Sequence, residues 1–329
     1  MSDNPARITC IGVCNVDVIT HVDDDFLIAH NLPKGASAAV DAHKLGYLLE
    51  MVEHPVVRAG GSTANLACGL ALRGLTVDFI GKIGGDTYGA LFRKEFEPYQ
   101  VNFSPRPDHD RQTSACLTLV TPDKERSFVF STGTAGWYLK PADLPALPDA
   151  PTQIICIEAN TTRMPNGYSA AESVFTAALL KYGFSNRRLF VGLNDREIIN
   201  SARQQMGDAL ACPHVSFIGN VGEMLALFEE HDMALAFERA QKTGRHFVVT
   251  NGADGVYLIG PDMIDHVPVT PLPAAQIVDT IGAGDQFAAG YIAGIINGQS
   301  PQVAARAGIE AAREILKQAG GRPSVSPEE

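Results

Sequence analysis

The sequence lacks the cysteine spacings that build metal sites or a disulfide framework. Its six cysteines include no C-x-x-C pair, and no histidine cluster lies near them at ligand spacing. Reduced thiols are therefore expected. Cys10 and Cys14 bracket a predicted buried strand, and we interpret them as small core side chains.

An export signal and a membrane span are also missing. The first seven residues, Met-Ser-Asp-Asn-Pro-Ala-Arg, show no basic start followed by an apolar segment and a cleavage site. The apolar stretch Phe287–Ile296 is about half as long as a membrane-spanning helix. Gly290 and Gly294 within it fit close helix packing in a soluble fold. These features predict a cytoplasmic protein without membrane contact.

Basic residues are too few to favour a nucleic-acid partner. The 26 Lys and Arg are outnumbered by 37 Asp and Glu, which gives a formal net charge of -11. Sequence-independent binding to nucleic acid needs many cations on phosphates. Plain solubility explains the acidic balance. With 329 residues, 45% of them hydrophobic, the chain can build one large α/β domain with an insertion or two modest domains.

Several nucleotide-binding and hydrolase motifs are absent. No G-x-G-x-x-G follows the first predicted strand, where Gly12-Val13-Cys14-Asn15 stands instead, and no G-x-x-x-x-G-K-[ST] occurs. G-x-S-x-G and H-E-x-x-H are missing as well. These absences disfavour a Rossmann oxidoreductase, a P-loop kinase and enzymes built on the other two motifs.

Segments rich in Val and Ile alternate with segments of helical apolar spacing. This alternation predicts an α/β fold with a doubly wound, mostly parallel sheet, whose ligands bind beyond the carboxyl ends of the strands. The predicted strands are Ile8–Val13, Val77–Ile80, Ile154–Ile157, Leu189–Leu193, Val215–Ile218 and Phe247–Thr250. The predicted helices are Ala64–Arg73, Tyr88–Glu97, Ala170–Tyr182, Glu223–Glu229, Ala234–Thr243 and Phe287–Asn297.

Two regions interrupt the alternation. Residues 16–57 hold irregular apolar positions, and residues 113–131 alternate around a Thr-Pro-Asp-Lys-Glu turn that predicts a hairpin. Together they form either a small β lid over the strand ends or edge hairpins without a gating role. The predicted domain division assigns 1–15, 58–112 and 132–322 to the main nucleotide-binding domain and 323–329 to a tail, with fraying expected after Gly320.

The stretch Asp-Thr-Ile-Gly-Ala-Gly-Asp at 279–285 carries the most informative chemical pattern. It opens a predicted helix, so the backbone N–H groups of Gly282, Ala283 and Gly284 converge with the helix dipole on a point that suits an anion. Asp285 at the same helix start can orient a hydroxyl and accept its proton as the oxygen attacks phosphorus. Alternatively, Asp285 only complements the helix dipole and the glycines only form a tight turn.

The whole stretch resembles the second signature of the ribokinase/PfkB family of carbohydrate and nucleoside kinases. The resemblance implies a ribokinase-like fold, with Asp285 as the catalytic base and the backbone of Gly282, Ala283 and Gly284 as an anion hole for the transferred phosphoryl group. Ile281 stands where Thr is common, a change that a backbone-forming position should tolerate. The resemblance also implies that Asp279 and Ile281 help to bind a monovalent cation, K⁺.

The family's first signature resembles two glycine-rich stretches near the amino end, Gly60-Gly61-Ser62-Thr63-Ala64-Asn65 and Gly81-Lys82-Ile83-Gly84-Gly85-Asp86. The resemblance implies that Gly60 and Gly61 let the backbone approach a substrate and that Asn65 supplies an amide for a hydroxyl. A tight strand-to-helix turn is the alternative role of the glycines.

Asn15 and Asp17 follow the first predicted strand. In the family, the matching Asp binds two sugar hydroxyls, because a carboxylate can accept both hydrogen bonds of a vicinal diol. A surface turn residue is the alternative.

Two further motifs imply ATP and Mg²⁺ as cofactors. Asn220-Val221-Gly222-Glu223 resembles the family's N-x-x-E motif, whose Glu arranges magnesium through its waters, although Glu223 can also be a first-turn helix acid. Thr250-Asn251-Gly252-Ala253-Asp254-Gly255 resembles the T-x-G-x-x-G stretch that supports ATP, with a bare hairpin as the alternative. The resemblance therefore predicts cofactor contacts at Asn220, Glu223, Thr250, Gly252 and Gly255.

The substrate is expected to be a small molecule with a hydroxymethyl group. Softer matches around Lys34, Asp123 and Asn194 resemble the adenosine-kinase-like branch of the family. A nucleoside is therefore the first expectation, and a free sugar such as ribose, fructose or 2-keto-3-deoxygluconate is the second. A non-catalytic ligand sensor on the same fold and a homodimer both stay open. The apolar side chains that could cover a nucleobase from the lid are Phe26, Leu45, Tyr47, Leu48, Met51, Phe128 and Phe130.

Overall fold

The computed structural model describes residues 6–147, 153–163, 169 and 172–325. Within them, the strands are β1 (Arg7–Ile11), β2 (Asn15–His21), β3 (Ser37–Ala39), β4 (Val56–Gly60), β5 (Thr76–Ile80), β6 (Ser114–Val120), β7 (Arg126–Phe130), β8 (Gln153–Glu158), β9 (Arg188–Gly192), β10 (Val215–Asn220), β11 (His246–Thr250), β12 (Val256–Gly260) and β13 (Met263–Val267).

The α-helices of the same described residues vary widely in length. They are α1 (Asp24–Ala29), α2 (Ala42–Met51), α3 (Ser62–Ala71), α4 (Thr87–Lys94), α5 (Val174–Ala178), α6 (Arg196–Ser201), α7 (Arg203–Ala211), α8 (Val221–Phe228), α9 (Met233–Lys242), α10 (Ala283–Ile296) and α11 (Pro301–Ile315).

The larger sheet has the strand order β13-β12-β11-β10-β9-β8-β1-β5 over the described residues. Six neighbouring strands of this sheet are parallel: β5, β1, β8, β9, β10 and β11. Strands β12 and β13 add an antiparallel hairpin at one edge. Strand β8 (Gln-Ile-Ile-Cys-Ile-Glu) is buried over its whole length, as expected for a strand covered on both faces. The predicted doubly wound α/β fold is confirmed.

Helices cover both faces of this sheet. One face packs against α3, α10 and α11, and the other packs against α5 to α9. Helices α10 and α11 approach closely, because a Cβ added at Gly290 would lie 2.6 Å from the Ala307 carbonyl oxygen. The expected close packing through Gly290 and Gly294 is therefore confirmed. None of the described helices has both the length and the apolar character to cross a membrane.

The smaller sheet has the order β3-β7-β6-β2-β4, and its strands come from residues 15–60 and 114–130. Its inner side chains Val16, Val18, Leu117 and Val129 are buried against α1 and α2. The predicted small β lid is present as a sheet. The domain boundaries and the gating role of the lid stay predictions.

Several elements differ from the sequence prediction. Helix α3 begins two residues before the predicted Ala64, and α5 covers Val174–Ala178 with a π-helical turn at Leu179–Gly183. The predicted start of that helix, at residues 170–171, lies outside the described residues, as do 326–329 of the predicted tail. The expected fraying after Gly320 is wrong for residues 321–323, which contact the main domain.

Candidate active site

The glycine-rich turn before α10 takes the conformation that an anion site needs. Gly282 adopts φ 75°, and Gln286 N donates to Gly282 O over 2.8 Å as the first helical hydrogen bond. Backbone N–H groups that precede this bond, at Gly284 and Asp285, have no intrahelical acceptor. Ala283 N instead donates to Thr280 O over 3.3 Å. The unpaired helix start therefore offers the Gly284 and Asp285 amides more directly than the Ala283 amide.

Asp285 is held by two side chains from the start of α3. Ser62 Oγ donates to Asp285 Oδ1 over 2.5 Å, and Asn65 Nδ2 donates to Asp285 Oδ2 over 2.9 Å. Burial raises the pKa of Asp285, while the two hydrogen bonds oppose that rise. The carboxylate is thus fixed in orientation and remains basic, which suits a group that accepts a proton from a hydroxyl.

Ser62 is in turn positioned by Asn194, which follows β9. Asn194 Nδ2 donates to Ser62 Oγ over 2.8 Å, and Asn194 Oδ1 accepts from Ala159 N over 3.0 Å. Asn194 has a positive φ of 61°, a conformation that Asn tolerates better than most residues. The sequence motifs indicated no contact between Ser62 and the carboxylate of Asp285, because the partners of Ser62 lie far away in the chain.

The residues predicted to bind substrate lie together beside this carboxylate. Asn15 pairs with Gly60 across β2 and β4, and Asn15 Nδ2 donates to Asp17 Oδ1 over 2.8 Å. A Cβ added at Gly60 would lie 2.1 Å from Asp17 Oδ2, so only glycine lets the carboxylate settle there. Gly61 has φ 91° and lies against the Val13 carbonyl oxygen. Burial raises the pKa of Asp17 to about 6.

A carboxylate missed by the sequence analysis connects the segment after β1 with the start of α3. Glu158, at the end of β8, accepts from Val13 N over 2.6 Å, from Thr63 N over 3.1 Å and from Thr63 Oγ1 over 3.0 Å. Its side chain is buried, and burial raises the pKa of Glu158 to about 7 against the effect of these donors. One sequence signal could have revealed it, since Glu158 ends an otherwise apolar buried run.

The N-x-x-E motif forms a capping box at the start of α8. Asn220 N donates to Glu223 Oε2 over 2.9 Å, Asn220 Nδ2 donates to Glu223 Oε1 over 2.8 Å, and Glu223 N donates to Asn220 Oδ1 over 2.9 Å. Burial raises the pKa of Glu223 to about 7. Glu223 therefore does act as a first-turn helix acid, and the remaining lone pairs of its carboxylate are available to solvent or a ligand.

Thr250–Gly255 connects β11 to the antiparallel β12 by a short 3₁₀ turn. Asn251 N donates to Gly255 O over 2.8 Å, and Gly252 and Gly255 have φ of 53° and 107°. A Cβ at Gly255 would lie 2.3 Å from the Val267 carbonyl oxygen, whereas a Cβ at Gly252 would meet open space. The hairpin alternative is thus correct as geometry, and the open surface at Gly252 leaves room for a ligand's close approach.

A cavity of about 330 Å³ at the carboxyl ends of β8 to β11 joins several of these groups. Asn220, Glu223, Thr250, Gly284 and Asp285 line it, together with Ser62 and Asn194. Gly252 and Gly255 do not line it, nor do Asn15, Asp17, Gly60, Gly61 and Asn65. Asp285 therefore lies between this cavity and the residues predicted to bind substrate, which we call the substrate cluster (Asn15, Asp17, Gly60, Gly61 and Asn65).

The lid contributes an apolar surface next to Asp17. Asp17, Cys116 and Phe130 are register partners on the neighbouring strands β2, β6 and β7, so their side chains share one face of the lid sheet. The Arg163 guanidinium from the main domain lies 5.6 Å from the centre of the Phe130 ring. Arg126 of the lid lies 3.9 Å from the carboxylate of Asp279.

The residues predicted to bind metal ions are Glu223 for Mg²⁺ and Asp279 and Ile281 for a monovalent cation. No cluster of three or more His, Cys, Asp or Glu in the described ranges could hold a metal ion alone. Mg²⁺ does not need such a cluster, because it binds through one or two carboxylates, phosphates and waters rather than an all-protein cage. Asp279 Oδ1 accepts from the backbone N–H of Thr280 and of Ile281, and Asp279 Oδ2 accepts from Gly320 N over 3.2 Å. That carboxylate therefore shapes the loop in which a monovalent cation was predicted.

Comparison with known proteins places this geometry among kinases. The model of the pfkB family carbohydrate kinases matches residues 6–328. Adenosine kinase 2 of Arabidopsis thaliana is 25% identical over 93% of this chain and 92% of its own. Fructokinase of Klebsiella pneumoniae is 29% identical over 72% of this chain and 76% of its own.

Solved structures extend the similarity to the whole fold. Adenosine kinase from Sinorhizobium meliloti is 27% identical with a TM-score of 0.81, over 97% of this chain and 96% of its own. A probable sugar kinase from Rhizobium etli CFN 42 is 25% identical with a TM-score of 0.82, over 96% of this chain and 94% of its own.

Proposed function

Because the chain belongs to the pfkB family of carbohydrate kinases, we propose that it transfers the γ-phosphoryl group of ATP to the hydroxymethyl group of an adenosine-like nucleoside. The protein is an ATP-dependent sugar or nucleoside kinase. The proposal concerns its acceptor and the roles of its residues. The observation that carries it is the Asp285 carboxylate, clamped by Ser62 and Asn65 at a helix start with unpaired amides.

The substrate site consists of Asp17 and the loops around it. Asp17 accepts two hydrogen bonds from the vicinal diol of a ribose, and the bare backbone at Gly60 and Gly61 lets the sugar approach. Asn65 already donates to Asp285, so one further N–H of its amide remains for a substrate oxygen. This arrangement directs the hydroxymethyl group towards Asp285.

The chemical step needs a base and a site for developing negative charge. Asp285 accepts the hydroxymethyl proton as the oxygen attacks the γ-phosphorus, and the bond to the bridging oxygen of ATP breaks to release ADP. The amides of Gly284 and Asp285, with the backbone of Gly282 and Ala283 shaping the turn, stabilise the equatorial phosphoryl oxygens. A closed lid excludes water, which would otherwise compete for the phosphoryl group.

The cavity beside Asp285 fits the phosphate end of ATP. It has polar walls at Asn220, Glu223 and Thr250, while Gly252 and Gly255 form the turn beyond β11. Mg²⁺, held through water by Glu223, would neutralise phosphate charge when bound. A K⁺ site at the loop of Asp279 and Ile281 belongs to the proposal as well, because backbone carbonyls of that loop are the ligand type for such an ion.

A nucleoside is preferred because an aromatic surface adjoins the diol-binding carboxylate. Phe130 and Cys116 share the lid face of Asp17, and Phe128 lies on the same face two residues before Phe130. An apolar face of this kind suits a planar base better than a bare sugar. Of the seven lid side chains predicted to cover the base, Leu45 and Leu48 are instead buried inside the lid. Coverage also supports this choice, since the adenosine kinases of Arabidopsis thaliana match over 93% and 97% of the chain and the fructokinases of Klebsiella pneumoniae and Escherichia coli over 72%.

A free-sugar kinase is the second candidate. The fructokinase of Klebsiella pneumoniae has the higher identity, 29% against 25%, over the segment it covers. A sugar acceptor would use the same Asp17 and Asp285 and would leave the Phe130 face without a partner. The two acceptors are therefore separated by kinetics rather than by the catalytic residues.

A coupled ADP-release assay tests the proposal. The purified protein with Mg-ATP is offered adenosine, inosine, guanosine, cytidine, ribose, fructose and 2-keto-3-deoxygluconate. We expect the highest kcat/KM for a purine nucleoside, with the product phosphorylated at its hydroxymethyl oxygen. A higher kcat/KM for a sugar would replace the nucleoside proposal by the second candidate. Ligand binding without ADP release would indicate a non-catalytic sensor.

A further inference from the structure

The C-terminal segment Gly320–Pro323 lies against both halves of the site. Gln286 Nε2 donates to Gly321 O over 3.1 Å, and a Cβ added at Gly282 would lie 2.4 Å from Gly321 Cα. Tyr99 Oη donates to Pro323 O over 2.8 Å and anchors the segment from the other side. This close packing brings the Arg322 side chain beneath the substrate cluster.

The Arg322 guanidinium is held on two sides. Its Cζ lies 5.1 Å and 4.7 Å from the ring centres of Phe92 and Phe96, distances at which a cation is attracted to an aromatic face. Its Nη2 donates to Gly60 O over 3.3 Å and its Nε donates to Asn65 Oδ1 over 3.4 Å. The planar fork of an arginine can reach both oxygens at once, which a lysine cannot.

The oxygens that accept hydrogen bonds from Arg322 carry no net charge. Its Nη1 also donates to a carbonyl oxygen, that of Glu95, over 3.4 Å. No carboxylate within the described part of the chain lies within 4.0 Å of its guanidinium nitrogens. The positive charge is therefore not cancelled by a direct ion pair and can act on carboxylates at longer range.

One such carboxylate is that of Asp17, which lies over Gly60, the residue whose carbonyl oxygen accepts from Arg322. Asp285 and Asp279 both raise the pKa of Asp17, and burial raises it most, whereas Arg322 is the largest influence that lowers it. Asn15 lowers it further by a hydrogen bond. The other groups on the same sheet face are Cys116 on β6 and Arg58 on β4, the register partners of Asp17. A diol-binding carboxylate must be ionised to accept both hydrogen bonds.

We propose that Arg322 is a positioning residue for the acceptor substrate. Its guanidinium fixes the Gly60 carbonyl and the Asn65 amide. It also supplies a positive charge that favours the ionised carboxylate of Asp17, the form that accepts both hydrogen bonds of a diol. This inference rests on the proposed function, because it assigns the acceptor to Asp17. The C-terminal segment is then part of the substrate site, although the sequence motifs placed every acceptor contact in the first 65 residues.

The experiment compares two neutral variants with a charged one. Arg322→Met removes both the charge and the donors, Arg322→Gln keeps a donor without the charge, and Arg322→Lys keeps the charge without the fork. Arg313→Met is the matched control, because Arg313 lies near the end of α11 and donates to Thr270 O, away from the site. The carboxyl ¹³C shift of Asp17, assigned with Asp17→Asn, is titrated in each protein, and KM and kcat are measured from pH 5 to 8.

We expect both neutral variants to raise the Asp17 pKa by about one unit or more. At pH 7, KM for the acceptor should rise about twofold in Arg322→Met from the lost ionisation of Asp17, and further because Gly60 O and Asn65 Oδ1 lose their donor. The value of kcat should change less than about threefold, since Asp285 and its clamp remain. Arg322→Lys should keep the Asp17 titration near that of the parent protein and raise KM only through the lost fork. Arg313→Met should leave both quantities unchanged.

Two results would overturn the inference. One is an unchanged Asp17 titration in Arg322→Gln, the neutral variant most able to fold. The other is an equal rise of KM in the Lys, Gln and Met variants without any pKa change, which would make Arg322 a merely structural residue. If the parent protein phosphorylates no acceptor, the proposed function fails, but the titration of Asp17 still decides whether Arg322 sets its charge.

Discussion

Ser62 donates its hydroxyl to Asp285 Oδ1 over 2.5 Å, across a separation of 223 residues. The start of α3 thereby orients the carboxylate at the start of α10, and Asn65 completes the clamp from the next turn. Both helices pack side by side on the same face of the larger sheet. The two side chains that hold Asp285 and the glycine-rich turn before α10 therefore belong to one pair of packed helices.

Replacing Ser62 by Ala removes one of the two donors to Asp285. Because that hydrogen bond lowers the pKa of Asp285, its loss should raise the pKa further. The acid limb of the kcat/KM profile should move to higher pH, so that activity falls more at pH 6 than at pH 8. Ser201→Ala, which removes a hydroxyl that donates to the Ile198 carbonyl oxygen on α6, serves as the control. An unshifted profile would contradict a role for Ser62 at the base.

Replacing Asp285 by Asn removes the proton acceptor and keeps the shape of the side chain. We expect kcat to fall by about 10²–10⁴-fold, the usual contribution of a general base. The circular dichroism spectrum should change little, because the amide can still accept from Ser62 through its oxygen. Its NH₂ group replaces the oxygen that accepts from Asn65 Nδ2, so a small fall of the melting temperature is expected. Retention of most of the activity would remove Asp285 from the mechanism.

Replacing Gly282 by Ala should distort the anion-binding turn. Gly282 has φ 75°, and the added Cβ would lie 2.4 Å from Gly321 Cα and 2.6 Å from Gly321 O. Both strain and displacement of the C-terminal segment follow, so we expect a loss of about 1–3 kcal/mol of unfolding free energy and at least a tenfold loss of kcat. Gly207→Ala on α7, where a Cβ meets open space, is the control and should be neutral or stabilising in urea unfolding.

Glu158→Gln tests a carboxyl group whose folded pKa is about 7. A folded pKa above the unfolded value means that the native state binds the proton more tightly between about pH 4.5 and 7. The contribution of this group to stability is therefore fully present below pH 4.5 and is lost as pH rises through 7. Over that window it amounts to at most about 3 kcal/mol.

The free energy of urea unfolding, measured at pH 4.5, 6, 7 and 8, should fall less steeply with pH in Glu158→Gln than in the parent protein. Glu310→Gln, on the exposed side of α11, should keep the parent slope. Equal slopes in all three proteins would mean that the burial of Glu158 does not shift its titration.

The sequence predicted the parallel core of the fold and a glycine-rich turn that opens α10, and both have local causes. Buried parallel strands such as β8 are continuous apolar runs, and the turn at Gly282 takes a positive φ that glycine adopts without strain, just before a helical apolar run. The structure confirms the α/β fold, and the comparisons confirm the family resemblance. The roles of the individual site residues stay predictions.

The missed residues act through contacts that periodicity cannot detect. Glu158 meets Thr63 across 95 residues, and Arg322 meets Asn65 across 257. Asn194 was noted in a softer match, but its bond to Ser62 depends on how β8 and β9 end side by side. Helix α11 and the β12–β13 hairpin escaped prediction as well, since neither carries a motif and α11 buries mostly alanine and glycine.

The packing of Gly282 on Gly321 has a consequence for biosynthesis. Gly321 leaves the ribosome after every strand and helix described here. A nascent chain therefore contains Asp285, Ser62 and Asn65 before it contains the glycine that packs against Gly282. The anion-binding turn can therefore take its packed form only after Gly321 has been synthesised.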